Sequence, residues 1–284
     1  METIYITNDP WRAQVAESAG VDRVMVDLEI IGKRERQPFG NTVISEHSRS
    51  DVRRLRSILK KAQLLVRINP PHEGMEDEIG DCLAEGADIL MLPMFSNKQD
   101  VSAFVGWVRG RARTCLLLET APALARIGEI LETGGIDEVH LGLNDLHLAL
   151  KLDFMFEIVS GGLADYMARI VHQQGIKLGI GGVARLGQGL LSAELVLSEH
   201  VRLGSTQVIL SRDYGNIFNQ HSPEAAPDVF RNEVQKLQAH VEHLRSLPPA
   251  DLDANARALQ SQVAAIASQI AARREGRAAV SPSS

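Results

Sequence analysis

Cysteine is scarce in this chain of 284 residues: there are two, Cys82 and Cys115. Both fall inside predicted secondary structure, one helical and one extended. Small core residues in a reducing compartment explain them better than a disulfide framework or a thiolate metal site. No charge of one sign dominates, since 30 basic residues mix with 36 acidic ones for a net charge of -6. The absence of a basic patch argues against a nucleic-acid partner. No apolar run approaches the ~20 residues that cross a bilayer. The opening METIYITNDP lacks the basic region and apolar segment of a secretory signal, so the expectation is a cytoplasmic protein with no membrane partner. A P-loop, a CxxC pair and a nucleophile elbow are all missing. No lysine falls at a predicted strand end, which argues against Schiff-base chemistry.

What the chain does have is apolar material, 44% of residues, enough for one barrel-sized core or two small ones. Short apolar runs alternate with helical stretches throughout. The runs are Thr3 to Thr7, Asp22 to Leu28, Leu64 to Ile68, Ile89 to Leu92, Cys115 to Leu118, Glu138 to Leu143, Ile176 to Ile180 and Gln207 to Leu210. Eight such units predict a closed (β/α)₈ TIM barrel over residues 1–222, with an open doubly wound sheet as the alternative. Among the intervening helices, one over 51–62 is expected to be capped by Ser50 and one is expected to run unbroken from Met155 to Gln174. Beyond the barrel, apolar residues recur at helical spacing from Phe230 to Leu244 and from Leu252 to Ile270. These predict a C-terminal extension of two amphipathic helices over 223–272, the second packing on its own barrel or on another subunit, and then a disordered tail over 273–284.

The stretch from Leu116 to Leu150 organises the rest. Read as strand–helix–strand, it brings Glu119 and Asp145 to the same ends of two parallel neighbours. Two converging carboxylates suit a hard cation such as Mg²⁺ or Mn²⁺, which leaves positions for water and substrate. The plainer alternative is that Glu119 caps a helix and Asp145 sits in a turn.

Leu118-Glu119-Thr120 and Gly142-Leu143-Asn144-Asp145-Leu146 resemble the HpcH/HpaI aldolase and citrate lyase β-subunit family. Further resemblance lies in Val66-Arg67-Ile68-Asn69, in Val26-Asp27-Leu28-Glu29, and in Gly86-Ala87-Asp88 followed by Leu92-Pro93. The resemblance covers roughly residues 1 to 215. It implies a modified TIM barrel, Glu119 and Asp145 as ligands of the ion, and C-terminal helices that reach another subunit in a homo-oligomer. One departure matters: HpaI-like members carry a catalytic His directly after the Glu, where this chain has Ile30. His47, in the same loop, is the nearest substitute for a general base.

Strand carboxyl ends mark the site of a barrel. They bring forward Asp27, Glu29, Arg67, Asn69, Glu119, Asn144, Asp145, Gly181, Gly182, Ser211 and Arg212. Arg67 lies in an apolar strand, where an unpaired guanidinium is costly. It either forms a structural ion pair with Asp27 or Glu29, or holds a substrate carboxylate and stabilises an enolate oxygen. Asp27 and Glu29, on one face by alternation, either orient Arg67 or bind metal waters. The glycine pair, with Ser211-Arg212, also suits an anionic group such as phosphate. His140 reads as packed core, and His147 is unassigned.

Together these features predict a metal-dependent carbon–carbon lyase or aldolase. Its substrate would be a 2-oxo acid such as pyruvate or oxaloacetate, with a phosphorylated substrate or a CoA thioester as further options. The rivals are a metal-dependent phosphoester hydrolase and a non-catalytic barrel that binds a small acid or assembles through its C-terminal helices.

Overall fold

Strand residues alternate between two apolar environments, and that alternation sets the architecture. Leu116 and Leu118 pack outward among the helices, while Cys115 and Leu117 join Ile4, Met25, Leu65, Ile89 and Met91 in a separate interior cluster. The computed structural model describes residues 1–32 and 47–280, with side chains to 274. Eight parallel strands close into a barrel in sequence order. They are β1 (Glu2–Ile6), β2 (Arg23–Asp27), β3 (Gln63–Arg67), β4 (Ile89–Leu92), β5 (Arg113–Leu118), β6 (Glu138–Leu141), β7 (Lys177–Val183) and β8 (Gln207–Leu210). The expected TIM barrel is therefore what forms. Both cysteines are buried and free.

The helices that cover the barrel are α1 (Pro10–Ser18), α2 (Arg49–Ile58), α3 (Met75–Ala84), α4 (Lys98–Val108), α5 (Ala121–Ala125), α6 (Ile127–Leu131), α7 (Leu143–Ala149), α8 (Glu157–Ser160), α9 (Leu163–Gln173), α10 (Ala193–Arg202) and α11 (Arg212–Gln220). The C-terminal extension is α12 (Ala226–Arg245) and α13 (Pro249–Val280).

The interior is layered along the barrel axis. At the amino ends of the strands, Arg23 is wholly buried, donates to Glu138 at 2.5 and 2.8 Å, and also pairs with Glu2. The apolar cluster fills the middle, and carboxylates and a guanidinium crown the carboxyl ends.

Four sequence expectations need correcting. Strand β6 stops at Leu141 rather than Leu143, so Asn144 and Asp145 sit in the first turn of α7. The long helix expected from Met155 to Gln174 is broken into α8 and α9 at Gly161-Gly162, where Gly162 takes φ +85. Ser48, not Ser50, caps α2: it forms a capping box with Asp51. Helix α13 continues to Val280, into the stretch read as a disordered tail.

The apolar stripe of α13 is covered by its own barrel. Leu259, Val263 and Ile266 are buried in the main core. Asn255 donates to Ser198 at 3.0 Å, and Gln260 donates to the Ser160 carbonyl at 3.1 Å. Among the described residues no helix is long and apolar enough to cross a membrane.

Candidate active site at the barrel mouth

The register of β2 against β3 places Asp27 directly beside Arg67. The guanidinium binds Asp27 through both prongs, Nε to Oδ1 and Nη2 to Oδ2, each at 2.8 Å. Its Nη1 lies 3.3 Å from Glu29 Oε2. Such a bidentate pair fixes the plane of the fork. Arg67 keeps 15% of its side chain exposed, whereas Asp27 and Glu29 keep 3% each, so the cation is the member that reaches the mouth. Burial alone would lower the Arg67 pKa, but Asp27, Glu29 and Glu119 outweigh it and hold the pKa above its ordinary value.

Glu119 follows β5 and is buried. Its Oε1 accepts the Met94 N–H at 3.1 Å. Met94 stands just past β4 with φ 54, a left-handed conformation that side chains other than glycine seldom adopt. That backbone places the N–H on the carboxylate. Across the β5–β6 seam, Gly142 donates its N–H to the Leu118 carbonyl at 2.9 Å. A Cβ on Gly142 would meet Glu119 Cβ at 2.7 Å and Oε2 at 2.8 Å, so glycine is what lets the carboxylate lie there.

Burial pushes the Glu119 carboxyl up to about 8. Arg67 pulls the other way, and the charges of Asp145 and Glu29 push it further up. Glu119, Asp145, Glu29 and Arg67 are thus electrostatic neighbours. Among the described residues, no three His, Cys, Asp or Glu side chains gather as a complete metal cage.

His47 is brought to the site, and its geometry constrains its role. Its Nδ1 accepts the Asp27 backbone N–H at 2.9 Å. A neutral ring in that arrangement carries its proton on Nε2. Lys33, Arg34, Glu35 and Arg36, in the same loop, lie outside the described residues.

Asn69 serves the loop more than the mouth. Its Oδ1 accepts the N–H groups of Ile30 at 2.9 Å and Ile31 at 3.2 Å, and its Nδ2 donates to Glu78 at 2.8 Å. It ties the segment after Glu29 to α3. Asn144 is exposed on α7. Gly181 and Gly182 lie within β7, which runs on to Val183, and the register against β8 shifts between Gly179 and Gly182. Ser211 caps α11 by accepting the Asp213 N–H at 3.4 Å, and Arg212 is exposed beside it.

Sequence reasoning missed Met94, although Leu92-Pro93 marks backbone shaped near the mouth. It also missed Gly142 as the steric partner of Glu119. His140 is buried as expected, and among the described residues it makes one polar contact, with the Gly181 carbonyl at 3.0 Å. His147 faces the Leu143 carbonyl at 3.2 Å within its own helix.

The sequence profile described as HpcH/HpaI aldolase/citrate lyase matches residues 6–156, more than half of the chain. Among solved structures, an HpcH/HpaI aldolase from Desulfitobacterium hafniense DCB-2 aligns with a TM-score of 0.60 at 17% identity, over 87% of this chain and 93% of its own. An HpcH/HpaI aldolase/citrate lyase family protein from Burkholderia cenocepacia J2315 gives 0.60 at 15% identity, over 84% and 93%. The citrate synthase SbnG gives 0.58 at 15% identity, over 82% and 94%. At such identities these likenesses speak for the fold. No curated protein matches the sequence.

Proposed function

This chain belongs to the HpcH/HpaI aldolase/citrate lyase family, and from that premise we propose that it is a metal-dependent carbon–carbon lyase or aldolase acting on a 2-oxo acid such as pyruvate or oxaloacetate. The observation that carries the reading is the buried Glu119, pushed up to about 8 by burial and by the charges of Asp145 and Glu29, beside a guanidinium locked to Asp27.

The donor set fits a hard divalent cation. Such an ion takes one or two carboxylates from the protein and the rest of its shell from water and substrate. Glu119 and Asp145 supply the two. A cation at Glu119 reverses the effect of its burial and stabilises the ionised form. When bound, Mg²⁺ or Mn²⁺ supplies Lewis-acid stabilisation of negative charge on the oxygens of the substrate.

The protein's own residues do the rest. Asp27 holds the Arg67 fork in one orientation before substrate arrives, so little reorganisation is left to the reaction itself. Arg67 presents N–H groups to the substrate carboxylate and to the oxygen on which charge develops. Glu29 steadies Nη1. Asn69 pins the segment after Glu29 and so keeps Ile30 and Ile31 in place at the rim. The His47 ring, with Nδ1 accepting the Asp27 N–H, acts as a positioning group beside the Asp27–Arg67 pair. Gly181 and Gly182 on β7, with Ser211 and Arg212 just after β8, are the residues toward which a phosphorylated or CoA-bearing substrate would extend. The same residues serve cleavage and condensation. Assembly into a homo-oligomer belongs to the same reading.

Titration of Mn²⁺ into metal-free protein by calorimetry, with and without pyruvate or oxaloacetate, tests it. Binding that tightens with the 2-oxo acid and disappears in Asp145→Asn is the expected result. No binding under either condition, or turnover of phosphoesters without turnover of 2-oxo acids, would overturn it.

A further inference from the structure

The β7 strand carries one residue more than β8 between their shared contacts. Gly179 pairs with Gln207 and Gly182 with Ile209, so three steps on one strand face two on the other. This is a bulge, and a bulge leaves backbone groups outside the ladder. A carbonyl left out of the ladder and turned from solvent needs another donor, and Gly181 is half-buried. Here the donor is a side chain from the neighbouring strand: His140 Nε2 lies 3.0 Å from the Gly181 carbonyl.

The surroundings are cut to fit this contact. Gly179 stands opposite His140 in the β6–β7 register. A Cβ there would come within 2.2 Å of His140 Nδ1. Gly181 takes φ +42, and a Cβ on it would meet Leu143 Cδ1 at 2.6 Å. Leu143 is the first residue of α7, two positions before Asp145. One chain of contacts therefore runs from His140 to the Gly181 carbonyl, from Gly181 to Leu143, and from Leu143 along the first turn of α7 to Asp145.

The geometry points to His140 as a positioning residue, whose Nε2–H holds the β7 bulge in the shape that seats α7 and so places Asp145 at the mouth. The consequence for metal affinity rests on the reading of Asp145 as a ligand of the ion. His140 is fully buried, and burial pushes its pKa down to about 4, which keeps the ring neutral and its Nε2 a donor to the carbonyl. Its Nδ1 has no hydrogen-bond partner among the described residues, so the contact with Gly181 is the polar role this side chain fills.

Packing and positioning predict opposite orders for two substitutions. His140→Phe keeps an aromatic ring and loses the donor. His140→Gln keeps a donor at the reach of Nε2 and loses the ring. Two readouts apply, hydrogen exchange of residues 143–146 and 181–182 in metal-free protein, and Mn²⁺ affinity. Positioning predicts that His140→Phe speeds exchange in both segments and weakens Mn²⁺ binding about tenfold, the upper range for one hydrogen bond. It predicts that His140→Gln stays within about twofold of the parent on the same scale. Should His140→Phe fail to fold, His140→Asn replaces it, because its shorter amide stops short of the carbonyl. If the Phe variant matches the parent while Gln does not, His140 is packing alone and the proposal is wrong; an Asn variant that behaves like Gln overturns it as well, since the two differ in the reach of the donor. If exchange responds as expected but the parent itself binds no Mn²⁺, the positioning role stands and the metal reading of the site falls.

Discussion

Glu119 makes the stability of the metal-free protein depend on pH in a direction that can be worked out beforehand. Its carboxyl has an ordinary value of 4.5 and is raised to about 8 in the fold. Below about pH 4.5 the group is protonated in both folded and unfolded chains, so it costs nothing. As pH climbs, the unfolded chain ionises first while the folded chain holds its proton, and each pH unit in that window favours unfolding by about 1.4 kcal/mol. The loss is complete once pH has passed the folded value, where it amounts to about 5 kcal/mol for this buried group. Glu119→Gln removes the titration and can keep its carbonyl oxygen on the Met94 N–H. The variant and the parent should therefore unfold alike near pH 4.5, and the variant should gain on the parent steadily towards pH 8. Urea unfolding of both proteins in a chelator, at several pH values, gives the difference, and titrating groups remote from Glu119 cancel in it. Saturating Mn²⁺ should then stabilise the parent more than the variant, by mass action on the folded state. A difference between the two proteins that stays flat from pH 5 to pH 8 would refute the claim that Glu119 is a strained carboxylate awaiting a cation.

Two further expectations concern the frame around the site. Glu138→Leu leaves the wholly buried Arg23 with Glu2 as its one carboxylate partner among the described residues and should cost about 3–5 kcal/mol in urea unfolding. The double variant with Arg23→Met should recover much of that loss, and a single-variant cost below about 1 kcal/mol would contradict a buried pair. Leu259→Ala opens the seam between α13 and its own barrel and should cost about 2–4 kcal/mol without changing molar mass in light scattering. A changed mass with an unchanged unfolding midpoint would show that the stripe serves a neighbouring subunit instead.

The barrel was legible because strands buried on both faces read as short apolar runs with sharp stops, and the runs from Leu64 to Ile68 and from Ile89 to Leu92 end at Asn69-Pro70 and Pro93. The start of α7 was not legible. Leu141 and Leu143 continue the alternation of the strand, and Gly142 stands where a Ser, Thr, Asp or Asn would announce a helix. The seat of α13 was hidden for a related reason. A single helix from Met155 to Gln174 leaves no surface for the stripe, but the break at Gly161-Gly162 turns α8 aside, and α13 packs against α8 and α10. The contact between His140 and Gly181 joins neighbouring strands through a bulge, which no local pattern encodes.

Arg67 is the instructive case, because the ion pair read from sequence is compatible with the role proposed for it. The structural ion pair exists: Asp27 takes both prongs at 2.8 Å and Glu29 lies 3.3 Å away. The proposed function calls on the same pair. An unpaired guanidinium on a flexible stem would lose rotamer entropy on meeting substrate and pay for desolvation at the moment of reaction. Held by a carboxylate that is itself 3% exposed, the fork meets both costs during folding and arrives at the mouth already oriented. Replacing Asp27 should therefore damage turnover with the Arg67 charge still present. Asp27→Asn keeps one acceptor for the fork and gives up the charge, so kcat should fall while the protein remains folded. A variant with unchanged kcat would mean that Arg67 orients itself, and that the buried carboxylate beneath it is structural only.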